Sequence, residues 1–116
     1  MKKIGYAIGV LILVLGLTAL TGCGQKTAPG KATKAKKVSI VDSTFKPADT
    51  PLLKNGKVTW LNDDSLQHTV TADDNGFNSG QLSEGEVFEY KFSKIGSFPY
   101  HCENHPEMKG SIVVEE

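Results

Sequence analysis

Near its C-terminus the chain reads Tyr100-His101-Cys102-Glu103-Asn104-His105-Pro106-Glu107-Met108, which sets a thiol, an imidazole and a thioether three residues apart. A thiolate and a thioether are soft donors and imidazole is borderline, a mixture that suits copper better than any hard cation. A second imidazole, His68, stands upstream in Gln67-His68-Thr69-Val70. The expectation is one copper ion held by His68, Cys102, His105 and Met108, and one-electron chemistry at that ion.

Each donor has a plainer reading beside the metal one. Met108 on its own would be core filling, but a thioether is a poor zinc ligand and a good weak axial ligand for copper. Cys102 would otherwise be a buried structural cysteine or the disulfide partner of Cys23. An exported protein with one unpaired thiol needs a reason for keeping it reduced, and ligation supplies one. His68 is the donor that spacing fixes least; a lone histidine at a strand start is usually surface or core. His101 competes with it, but adjacency to Cys102 in a strand turns His101 to the opposite face. Pro106 lacks an N–H and disfavours helical geometry at His105, so the Cys102–Met108 stretch is expected to be a loop between strands.

The elements that must position this loop follow a period of two. Val38 and Ile40, Val58 and Trp60, His68 and Val70, Phe88, Tyr90 and Phe92, Phe98 and Tyr100, and Ile112 and Val114 each alternate with polar neighbours. Turn clusters separate them at Lys54-Asn55-Gly56, Asp73-Asp74-Asn75-Gly76, Ser83-Glu84-Gly85 and Ile95-Gly96. Short strands at this spacing predict an all-β sandwich of Greek-key type over residues 38–116. About 80 residues suffice for one modest core and no second domain.

The remainder of the chain is of a different kind. Residues 1–22 read as an export signal: Met1-Lys2-Lys3 followed by an apolar run from Ile4 to Leu20. Leu20-Thr21-Gly22-Cys23 resembles the lipobox of bacterial lipoproteins, which implies lipid on Cys23 and a mature chain beginning there. An uncleaved anchor helix is the alternative; both tether the domain to a membrane. Residues 23–37 carry five lysines and no large apolar side chain, and are expected to form a flexible linker. All thirteen acids lie in residues 38–116 against six lysines, a formal charge of −7. An acidic domain of this kind is not a nucleic-acid binder.

Residues 38–116 also resemble the cupredoxins, with the loop length of amicyanin and a broader similarity to plastocyanin and pseudoazurin. The resemblance is carried by Phe45 with Pro47, Val58-Thr59-Trp60-Leu61-Asn62, His68-Thr69-Val70, Phe77-Asn78-Ser79-Gly80, Gly96-Ser97-Phe98-Pro99-Tyr100-His101-Cys102 and His105-Pro106-Glu107-Met108-Lys109-Gly110. It implies a type 1 (blue) copper site, one-electron transfer, and redox partners that dock transiently in an apolar patch near His105. It also implies that the Thr69 backbone N–H approaches the Cys102 sulfur. Where many relatives have asparagine, this chain has Thr69, whose hydroxyl makes only part of the bonding that ties the two ligand loops together. The expected protein is a monomer, not an enzyme, lipid-anchored on the extracytoplasmic side of a bacterial membrane. The alternatives are a copper-binding protein for delivery or sequestration with the same ligands, and a metal-free β-sandwich binding module.

Overall fold

The structure is a computed structural model and describes residues 30–116. The expected signal, lipobox and lipidated Cys23 lie outside the described residues. Those residues form seven strands and no helix: β1 Thr33–Val41, β2 Thr44–Lys46, β3 Asp49–Asn62, β4 Thr71–Ala72, β5 Val87–Phe92, β6 Gly96–His101 and β7 Lys109–Glu115. Hydrogen bonding runs in the order β2-β1-β3-β7-β6-β4, with β5 also on β3.

The long strand β3 makes this a sandwich. Its first half, Asp49–Leu53, pairs in parallel with β7. Its second half, Gly56–Leu61, pairs antiparallel with β5 and in parallel with β1. Between the halves the chain bends, so that Thr33 faces Leu52 while Ala35 already faces Lys57. Asn55 takes a left-handed φ of 69°, and a Cβ on Gly56 would sit 2.7 Å from the Leu53 carbonyl. Lys54-Asn55-Gly56, expected as a turn between strands, is thus a bend within one strand. The residues that permit a reversal also permit a bulge that carries a strand from one layer to the other.

Strand β1 opens at Thr33, five residues inside the stretch expected to be linker. Among the described residues its first half has no neighbour on the outer side, since β2 reaches only Ser39–Val41. An edge strand needs backbone pairing rather than apolar side chains, and exposed lysines are suited to such an edge. The Asp42-Ser43 hairpin turn, with φ of 52° and 54°, then reverses the chain into β2.

Side chains from both layers meet in one core. Trp60 on β3 packs edge-on against Tyr100 on β6, with ring centroids 5.4 Å apart, and lies 5.9 Å from Phe77. Phe45 meets the other side of Tyr100 at 4.7 Å. The Tyr100 ring crosses the β7 backbone at Gly110, where a Cβ would lie 2.5 Å from its hydroxyl. Most expected inward positions are buried, among them Val38, Ile40, Val58, Trp60, Ile112 and Val114. Residues 68–71 differ from expectation. His68, Thr69, Val70 and Thr71 are all buried, and only Thr71 belongs to a strand. Alternation is lost there because the segment has protein on both sides.

Candidate metal centre

Two segments at one end of the sandwich form the site. The first follows β3 and is organised by Asn62, a fully buried amide. Its Nδ2 donates to the carbonyls of Leu66 (2.9 Å) and Leu82 (2.8 Å), and its Oδ1 accepts the Asp64 N–H at 3.0 Å. Residues 63–67 are thereby wound around one side chain, which sets His68 into the interior. His68 then exchanges backbone hydrogen bonds with Leu82 in both directions, at 3.2 and 2.8 Å.

The second segment joins β6 to β7. Cys102 is the first residue beyond β6, and its N–H donates to the Met108 carbonyl at 3.1 Å. The Met108 N–H donates to the His105 carbonyl at 2.8 Å. These two bonds draw Cys102, His105 and Met108 onto one tight loop, as Pro106 led us to expect.

The loops bring three predicted donors together. Cys102 Sγ lies 3.7 Å from His68 Nδ1 and 3.9 Å from His105 Nδ1, and all three donor atoms fall within 4.8 Å of one another. Metal–sulfur and metal–nitrogen bonds of about 2.3 and 2.0 Å, opened by roughly 100 to 120°, separate two donors by about 3.3 to 3.8 Å. The sulfur therefore stands close to bridging distance from each imidazole, and an ion bound by all three would draw the two rings toward each other. His68 and Cys102 have no exposed surface, and His105 is half-buried. Met108 is buried at the end of the same loop. A buried cysteine sulfur between two imidazoles, with a thioether in the adjoining core, is a copper donor set rather than one for a hard cation.

Further bonds hold the donors in place. The Thr69 N–H donates to Cys102 Sγ at 3.3 Å, as the resemblance implied. The Thr69 hydroxyl accepts the Glu103 N–H at 2.8 Å and lies 3.0 Å from the Thr71 hydroxyl. It therefore joins the two loops directly. Part of the tie sits elsewhere: Asn104 Nδ2 donates to the Gln67 carbonyl (2.9 Å) and to Gln81 Oε1 (2.8 Å), clamping the ligand loop to the His68 segment from outside. Sequence reasoning did not find Asn104 or Asn62. Nor did it find Asp64, whose Oδ2 lies 2.9 Å from His68 Nε2. The Ser43 N–H and then the His68 ring hold the Asp64 carboxyl below the usual carboxylate range.

His101 lies on the far face of β6, as expected, with its Nδ1 2.7 Å from Asp73 Oδ1. Its side chain keeps 28 % of its exposure and takes no part in the centre. The residues flanking His105 in the chain, Glu103, Asn104, Pro106 and Glu107, are all exposed.

This fold and this cluster are those of a small copper protein. A family model for the cupredoxin-like domain matches residues 10–114, and the chain belongs to that family, whose cofactor is copper. Amicyanin-alpha of Methylorubrum extorquens is 28% identical over 123 residues, covering 94% of this chain and 97% of that protein. Plastocyanin of Scenedesmus fuscus is 30% identical over 84 residues, covering 61% of this chain and 86% of that one. Among solved structures, a purple cupredoxin from Nitrosopumilus maritimus matches with a TM-score of 0.64 at 30% identity, covering 69% of this chain and 99% of that one.

Proposed function

We propose that the protein is a membrane-tethered electron carrier whose single copper is held by His68, Cys102, His105 and Met108. One observation carries the reading: the buried Cys102 sulfur lies 3.7 and 3.9 Å from the Nδ1 atoms of two histidines on separate loops. When bound, copper supplies one-electron chemistry by alternating between its cuprous and cupric states. The chain's own residues make that exchange easy. The Thr69 N–H keeps the Cys102 sulfur in place as an acceptor, and the aromatic core below it excludes water. The hydrogen bonds that cinch residues 102–108 restrain His105 and Met108, so little rearrangement accompanies a change of charge. His105, half-buried at the rim, is where an electron leaves or enters, and partners dock there briefly. Lipid on Cys23 keeps the domain at the extracytoplasmic membrane face, where two acyl chains suffice for stable attachment.

Copper(II) titration into the full chain, followed by visible absorption and electron paramagnetic resonance, tests this reading. The expected result is an intense thiolate-to-copper band at one equivalent, abolished in Cys102→Ser and preserved in Met108→Leu with a shifted potential. A full band in Cys102→Ser refutes the ligand assignment. His68→Ala should leave an open position that added imidazole fills, and Cys23→Ala should release the protein from membranes. Copper delivery with the same ligands is distinguished by rapid loss of copper to a chelator and no reversible midpoint potential.

A further inference from the structure

Asp64 stands behind the ring of His68, on the side away from the thiolate. Its Oδ2 accepts the Ser43 N–H at 2.9 Å and lies 2.9 Å from His68 Nε2. The carboxylate is itself fixed, because the Asp64 N–H donates to the buried Asn62 side chain. Only 13 % of the Asp64 side chain is exposed, and none of His68. An ionised carboxylate accepts hydrogen bonds and donates none, so the proton on the ring must sit on Nε2. That leaves Nδ1 with a free lone pair, and Nδ1 is the atom that faces Cys102 Sγ.

We propose that Asp64 is a positioning residue for the copper centre: it fixes His68 in the Nε2-protonated tautomer, with Nδ1 aimed into the site before metal arrives, and its negative charge favours the cupric state. The inference rests on the copper reading above. Two separate effects follow from one side chain. The first is geometric and present without metal: His68 cannot turn over or change tautomer without the carboxylate losing its ring partner in a nearly dry setting. The second is electrostatic and appears only with metal. A carboxylate across an imidazole stabilises the ion more in its higher charge, so its removal raises the midpoint potential. The hairpin turn at Asp42-Ser43 belongs to the device as well, since the Ser43 N–H holds the same oxygen.

The test uses the full chain with Asp64→Asn and Asp64→Ala. Asparagine keeps an oxygen acceptor for both N–H groups but loses the charge; alanine loses both. In the metal-free protein, nitrogen-15 NMR of the His68 ring is expected to show a protonated, slowly exchanging Nε2 in the parent. That signal should persist with faster exchange in Asp64→Asn, and give way to mixed tautomers in Asp64→Ala. With copper bound, Asp64→Asn should retain the thiolate band while the cuprous form gains about tenfold, a rise of about 59 mV for one electron. A His68 ring with the same tautomer and exchange in all three proteins overturns the positioning role. An unchanged or lowered potential in Asp64→Asn overturns the charge effect. Failure of the parent to bind copper refutes the functional reading instead, and the metal-free NMR still decides the tautomer.

Discussion

Replacing Thr69 by valine removes one hydroxyl from the seam between the two ligand loops while leaving shape and backbone in place. The hydroxyl accepts the Glu103 N–H at 2.8 Å and pairs with the Thr71 hydroxyl at 3.0 Å. Thr69 and Thr71 are both buried, so the Thr71 hydroxyl loses its partner where water does not reach. A buried polar group left unpaired costs about 1 to 3 kcal/mol. Glu103 is exposed, so water recovers part of what its amide loses, and that bond adds about 0.5 to 1 kcal/mol. The sum is a loss of about 1.5 to 4 kcal/mol, or roughly 6 to 32 °C in Tm for a domain of this size. Urea unfolding of the metal-free chain measures it without the contribution of bound copper. Thr69→Ser, which keeps the oxygen, should recover most of the loss. A Thr69→Val protein within about 0.5 kcal/mol of the parent would refute the idea that this hydroxyl joins the loops.

Three other perturbations test the packing around the centre. Tyr100→Phe should be neutral or slightly stabilising in urea unfolding, because the hydroxyl is buried and meets no hydrogen-bond partner among the described residues. Burial also raises the Tyr100 hydroxyl pKa above its ordinary value, so its ionisation leaves stability unchanged below about pH 10 and lowers it as pH rises from there through the folded value. Unfolding midpoints should therefore fall above pH 10 in the parent, and fall less in Tyr100→Phe. Gly110→Ala sets a Cβ 2.5 Å from the Tyr100 hydroxyl and 2.9 Å from the Ala48 carbonyl, and should cost about 1 to 3 kcal/mol or more by the same assay. Asn104→Ala unclamps the ligand loop from Gln67 and Gln81, and should speed hydrogen exchange at the Glu103 and Met108 amides while leaving global stability within about 1.5 kcal/mol.

The parts of the centre that were readable from sequence are those in which a residue type announces its own chemistry. Cys102, His105 and Met108 at equal spacing around Pro106 describe a loop of donors, and the structure draws them onto one such loop. His68 needed the fold, because only the winding of residues 63–67 around Asn62 turns its ring inward. Asp64 was invisible for a related reason. Beside Asp63 it has the composition of a surface turn, and nothing in the string shows that its carboxylate faces a ring four residues on. The alternating strands around Val38, Trp60 and Ile112 were legible because each buries one face. Residues 33–37 were not, since an outer strand is made by backbone pairing and its lysines resemble those of a tether. Lys54-Asn55-Gly56 carries the same composition whether the chain reverses or only bends.

That bend in β3 has a bearing on how the molecule comes apart. One continuous strand passes between the layers near Leu53–Gly56, and from Gly56 to Asn62 it runs roughly 20 Å toward the donor loops. The sandwich is thus joined through the β3 strand at one rim, while at the other the segments 63–72 and 102–108 are fastened to each other by side-chain bonds and by whatever ion bridges His68 to Cys102. Stripping the metal would let the molecule gape like a book held at its spine. Amides near residues 67–72 and 102–108 would lose protection first, and those beside the spine would not notice.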